Sequence, residues 1–421
     1  MDLLSNKLIS LLKIIVYILV FFTPLIFVTN TNELYEFPKM YFVYFLGTAA
    51  FFVFCILLLF SRVKIKFPSY PVLFFISAVI ISTIFSFHLY TSVWGYYTRF
   101  NGGLISVLVF AGVYLVISST FKKDEISKIL YLLILNSIPV SIFGISQHYA
   151  GVTRVYTTIG QPNWAAAYIA MIIPLTLYKY FKNGGKNVFL FGVIYLMEFA
   201  CLWFTYSISG FLGFLVSIAA LFIINRKELL NKYTFAKALP IVVLSILIAA
   251  LNLGVFKQRI EDIFIDVRKV ALESVYVYAL ENTSAGNNLS DPGFIRTGLW
   301  EGTLKLAASS PKVLLVGTGP ETFPYAFQPF RPKILNYSSE WDFVFNKPHN
   351  YYLEILATMG ILGLSSYGIL IFKVLRTKHS FLVPSLISLF VSNIFGWPTV
   401  ATALVFWIYL AVFDMEPEKE N

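Results

Sequence analysis

Apolar blocks of roughly 18 to 24 residues recur along almost the whole chain, separated by short polar connectors. That is the length an α-helix needs to cross the hydrocarbon core of a bilayer. Charged residues make up 13% of the 421-residue chain, where a soluble domain would carry about a quarter. The expectation is an all-α, polytopic membrane protein with about twelve transmembrane helices. The spans are expected near 8–28, 41–60, 70–87, 104–119, 129–147 and 164–181. The rest are expected near 188–206, 211–224, 238–255, 351–374, 381–395 and 399–413. The first run is too long for a signal-peptide core and lacks a small-residue cleavage site, so it is expected to stay as a helix.

Lysine and arginine set the expected orientation. The connectors with Lys64, Lys66, Lys122, Lys123, Lys182, Lys186, Arg226, Lys227, Lys373 and Arg376 fall on one side. The short loops on the other side contain only Lys39, Arg99 and Arg154. The basic side is cytoplasmic by the positive-inside rule, which puts both termini inside and the one long hydrophilic segment outside. The chain then divides into 1–256 (spans and connectors), 257–350 (an external helical loop) and 351–421 (the last spans and a cytoplasmic tail). The net charge of +10 is explained by these flanking residues and does not call for nucleic acid. Cys55 and Cys201 both lie in apolar blocks, which argues against a disulfide framework or a thiolate metal site.

In the long segment, Lys257 to Glu281 alternates apolar and charged residues as an amphipathic surface helix would. A Gly/Asn/Ser-rich linker follows, and Asp291–Pro292 reads as a helix start. The next helix would carry Arg296, Trp300 and Leu304 on one face and end near Pro311. Gly317–Pro320 reads as a tight turn whose backbone, at Gly319 above all, could approach a sugar or phosphate. His349–Asn350 opens the following apolar run, where helix N–H groups favour an anion. The bland alternatives are a simple cap for His349–Asn350 and a membrane-interface tryptophan for Trp300. Arg99 and Arg154 run against the orientation signal, so another reason for them is needed. His88 and His148 read as interfacial residues, and no histidine pair has metal-ligand spacing.

Arg296-x-x-x-Trp300, the GTGPETF turn (317–323) and KPHNYYLEIL (347–356) followed by GILGL resemble the C-terminal signature of the O-antigen ligase and polymerase superfamily. WGYYTRFNGGL (94–104) and GQPNWAAAYIAMIIPL (160–175) resemble earlier segments of that family. The resemblance implies an inverting glycosyltransferase that uses an undecaprenyl-diphosphate-linked glycan at the outer face of the bacterial cytoplasmic membrane. It implies neither a metal nor another cofactor. The acceptor would be a glycan, a lipid or a protein. By position, His349 becomes the general base and Arg296 and Arg99 the diphosphate ligands. Arg154, Trp300, Gly319, Lys347 and Asn350 join them as substrate-binding candidates. One departure stands out: TYSISGFLGF (205–214) has Ile208 where many members carry an arginine, and Arg99 or Arg154 is expected to compensate.

Ligase and polymerase remain the two nearest readings, with the KPHN and GTGPE segments favouring a ligase. A transporter or flippase of the carrier lipid would place ionisable residues deep in the spans, where only Glu198 is found. A non-catalytic assembly protein is the remaining alternative, suggested by Ile208.

Overall fold

The computed structural model describes residues 2–60, 63–258, 260–261, 292–338, 340–377 and 381–415, which form helices, turns and loops with no strand among them. The apolar blocks become α1 (Asp2–Phe22), α2 (Glu36–Leu59) and α3 (Tyr70–Ile84), followed by a short α4 (Leu89–Trp94). They continue as α5 (Leu104–Thr120), α6 (Lys123–Tyr149), α7 (Pro162–Lys182), α8 (Lys186–Phe204), α9 (Ile208–Ile224) and α10 (Lys232–Leu251). The long segment contributes α11 (Pro292–Ala307) and α12 (Pro311–Val316), and the chain closes with α13 (Tyr351–Leu375), α14 (Val383–Ser392) and α15 (Val400–Asp414).

Seven of these helices are long and apolar enough to cross a membrane: α1 with the turn after it, α2, α6, α7, α8, α10 and α13. The other five expected spans coincide with shorter apolar helices, α3, α5, α9, α14 and α15. Two of them stop where the chain turns to polar contacts. α3 stops at Ile84, and beyond it the Phe87 N–H donates to Thr318 O (3.0 Å). α14 stops at Ser392, and the carbonyl of the next residue, Asn393, accepts from Tyr351 N (2.9 Å) at the head of α13. Most of the surface helix expected over 257–281, with the linker after it, lies outside the described residues. The helix start at Pro292 is observed, and that helix ends at Ala307 rather than near Pro311.

Among the seven long spans α7 is the most enclosed, packed against α8, α9 and α14, with α15 packed on α5. Glu198 is fully buried among α6, α7 and α8, where the Ser137 (2.6 Å) and Thr176 (3.0 Å) hydroxyls donate to it. Residues 292–345 have a separate small core of Ile295, Leu299, Leu306, Phe323, Phe327 and Leu335, which meets the bundle at Ala357 of α13.

That meeting point requires α13 to break. Gly360 leaves helical geometry (φ 66°, ψ −165°), which frees carbonyls in the turn before it. Thr318 N donates to Ala357 O (3.1 Å), Gly319 N to Thr358 O (2.8 Å), and Ser82 Oγ also to Thr358 O (2.9 Å). Each of these carbonyls, buried and unpaired, would cost about 1–3 kcal/mol. A Cβ on Gly317 would lie 2.1 Å from the Thr358 carbonyl carbon, and one on Gly360 2.4 Å from Leu315. The two glycines therefore let the 317–321 turn dock on the broken helix.

Candidate functional site

The site is built on the head of α13. Asn350 caps the helix, its Oδ1 accepting from Leu353 N at 3.1 Å, so the expected cap is present. His349 just before it has φ 54°, a left-handed conformation that costs about 1–3 kcal/mol for a residue with a Cβ. The turn is held from outside: Trp300 Nε1 on α11 donates to Pro348 O at 3.1 Å. Arg296, one helical turn before Trp300, reaches toward Phe395 O at 3.5 Å. Phe395 belongs to the link between α14 and α15, which also carries Trp397. The His349 ring meets Trp397 edge-on at 5.1 Å. Arg99 lies over Trp397 from the α4–α5 connection, at 5.7 Å, and over Trp164 at 5.0 Å.

Trp397 thus joins the histidine to one arginine, while the α11 contact brings the other to the same link. Burial lowers the His349 pKa from 6.5 to about 4, and the positive charges of Arg296 and then Arg99 push in the same direction. The imidazole is neutral at pH 7, in the state a proton acceptor needs. Glu340 moves the opposite way: burial raises its carboxyl, with Arg296 partly opposing.

Arg154 is at a neighbouring corner. Its Nε donates to Thr205 O (3.1 Å) and its Nη2 to Asn163 Oδ1 (3.1 Å). The Ser207 hydroxyl donates to the same Asn163 oxygen at 2.9 Å and accepts from Gly210 N, capping α9. Arg154 therefore lies against the segment that has Ile208 where the family arginine falls. Asn163, at the start of α7, links Arg154 to Ser207. Gln161, Asn163, Trp164, His349, Asn393 and Trp397 line a cavity of about 20 Å³ at this end.

Two expected substrate-binding residues are already engaged. Lys347 Nζ donates to both Glu321 Oε1 and Glu354 Oε1 in a buried cluster. Burial disfavours its charge, yet Glu321 and Glu354 outweigh that and raise its pKa. Gly319 spends its N–H on Thr358 O, and a Cβ on it would lie 2.2 Å from Ser86 Oγ. Glu321 and Glu354 are not among the residues that the sequence singles out. No local spacing marks the cluster, because Lys347 precedes the first turn of α13 and Glu321 lies in a separate turn. His88 stacks on Tyr325 (5.1 Å) and His148 on Phe204 (3.7 Å), so the structure groups neither with His349.

Fold and site together define a helical membrane protein in which a neutral histidine and nearby arginines gather where the polar 292–345 segment meets the bundle. The O-antigen ligase family model matches residues 191–368, from within α8 to within α13, and spans Arg296, Trp300, the 317–323 turn and His349. Residues 191–368 are thus similar to the O-antigen ligase family, whose members are glycosyltransferase-like ligases and polymerases. No curated protein matches the chain.

Proposed function

We propose that this protein transfers a glycan from an undecaprenyl-diphosphate carrier to an acceptor hydroxyl at the outer face of the bacterial cytoplasmic membrane, in the manner of an O-antigen ligase. The observation that carries this reading is His349, neutral and strained at the head of α13, with Arg296 and Arg99 close enough to depress its pKa. In the reaction, an imidazole nitrogen of His349 takes the acceptor O–H proton as that oxygen bonds to the anomeric carbon. The bond from the anomeric carbon to the diphosphate oxygen breaks on the opposite face, so the anomeric centre inverts. The electron pair leaves with the diphosphate, whose growing charge Arg296 and Arg99 stabilise. No step needs a metal or another cofactor.

The same arginines explain how a group with a pKa of about 4 can serve as a base near neutral pH. A bound diphosphate offsets their charge, so the imidazole becomes more basic when donor is present. Arg154 is the cation best placed to substitute for the arginine replaced by Ile208, because it already bonds Thr205 and Asn163 beside it.

The test is direct. Purified protein in nanodiscs is given an undecaprenyl-diphosphate glycan and a candidate acceptor. Equal amounts of glycosylated acceptor and free undecaprenyl diphosphate are expected, with release by His349→Gln slowed at least about a hundredfold. In cells, deleting the gene should leave long glycans on the carrier lipid. Accumulation of single repeat units instead would identify a polymerase. An unchanged pool, in a strain that makes the glycan and has no second copy of the gene, overturns both.

A further inference from the structure

A second and larger cavity is not used by this reaction scheme. It measures about 110 Å³, room for several waters at roughly 10–15 Å³ each. Its walls inside the bundle are apolar, with Phe75, Phe110, Phe406 and Trp407 among them. Its polar end carries Glu321, Lys347 and Glu354. Trp397 belongs to the lining of both this cavity and the small one beside His349.

Three features limit what can enter. The polar end has two carboxylates against one ammonium, which disfavours an anionic head group. Glu354 is only 4% exposed, and its Oε2 accepts no hydrogen bond among the described residues, while its Oε1 accepts from Lys347. A buried carboxylate oxygen left in this state is costly, and a ligand O–H or N–H would relieve the cost. A second ammonium beside Oε2 would lie close to Lys347 Nζ, whereas a hydroxyl brings a donor without a charge. Beyond this end the cavity offers mainly apolar surface.

We propose that this cavity is an acceptor subsite for a neutral, hydroxyl-bearing sugar head on a slim aliphatic chain, with one hydroxyl donating to Glu354 Oε2. The proposal rests on the transfer reading given above. It divides the site in two: the arginine side receives the diphosphate and the carboxylate side receives the acceptor. Lys347 becomes a positioning residue that holds Glu321 and Glu354 at the rim.

Full-length protein in nanodiscs of zwitterionic lipid is photolabelled with alkyl glucoside, alkyl phosphate and alkylammonium probes that share one diazirine-bearing chain. Labelled peptides are mapped by mass spectrometry. The glucoside should label α3, α5 and α15 saturably and better than either charged probe. Glu354→Gln should weaken its labelling about tenfold, the loss expected for one hydrogen bond to a charged acceptor. Ala403→Phe, which fills the cavity from its wall and leaves the carboxylates in place, should abolish labelling even if Glu354→Gln folds poorly. Equal labelling by the three probes, preference for either charged head, or undiminished labelling in Ala403→Phe overturns the proposal. Labelling needs no turnover, so the two readings fail separately. Normal transfer by His349→Gln with the expected labelling defeats only the catalytic assignment.

Discussion

At the residue scale, the proposed chemistry turns on how His349 is charged before and after donor binds. A base must be unprotonated, so activity falls as pH drops through its pKa. For free enzyme that limb appears in kcat/KM, and for the donor complex in kcat. The limb in kcat/KM should therefore lie near pH 4, and the limb in kcat above it, because the diphosphate offsets Arg296 and Arg99. Arg99→Gln removes one depressing charge and should move the kcat/KM limb upward. A limb at 6.5 in wild type, unmoved in the variant, would show that some other group titrates. The arginines should also differ in kind. Arg99→Lys keeps the charge over Trp164 and Trp397 but loses the planar fork, so it should retain only part of the activity. Arg154→Ala should lower donor affinity if this residue substitutes for the arginine missing at Ile208; donor binding by equilibrium dialysis decides, and unchanged binding excludes that role.

At the element scale, α13 is two helices in one run, and the break at Gly360 seats the 317–321 turn. Gly360→Ala forces a Cβ into a φ of 66° and to within 2.4 Å of Leu315, and Gly317→Ala meets the Thr358 backbone at 2.1 Å. Each should lower the thermal midpoint of the purified protein by several degrees, and Gly368→Ala, with no neighbour within 4 Å, should not. Equal midpoints in all three would mean that the docked turn contributes nothing to stability. This element also marks the limit of what the sequence reveals. The head of α13 was legible, because an asparagine before an apolar run is a cap signal and Asn350 caps. The break was not, because the two glycines in MGILG are compatible with continuous helix, and the long-range bonds from Thr318 and Gly319 are what compensate for the interruption at Gly360. The Glu321–Lys347–Glu354 cluster was hidden for a similar reason: Glu321 is 26 residues from Lys347 and reaches it only once the turn has docked. Arg154 stood out by its charge, but its contact with Thr205 lies across 51 residues.

At the scale of the whole molecule, the site and the basic connectors lie at opposite ends of the helices. The chain reaches His349, Trp397, Asn163 and Ser207 at the starts of α13, α15, α7 and α9, whereas Lys182, Arg226 and Lys373 lie at or near the ends of α7, α9 and α13. If the basic end is cytoplasmic, a cysteine at Asp342, in an exposed stretch, should react with a membrane-impermeant maleimide in intact spheroplasts. One at Lys186 should react only after lysis, and the reverse pattern would put the site on the wrong side for a carrier-linked donor. The proposed reaction depends on one group acting as a base. Glutamine at 349 keeps a hydrogen-bonding side chain and leaves the Asn350 cap in place, but it cannot accept a proton near neutral pH. General-base assistance is worth about two to four orders of magnitude in rate. The most direct measurement is therefore single-turnover glycan transfer from undecaprenyl diphosphate by purified His349→Gln in nanodiscs, with donor binding measured in parallel. A rate at least about a hundredfold below wild type, with donor affinity unchanged, is the predicted result; transfer at close to the wild-type rate would contradict it.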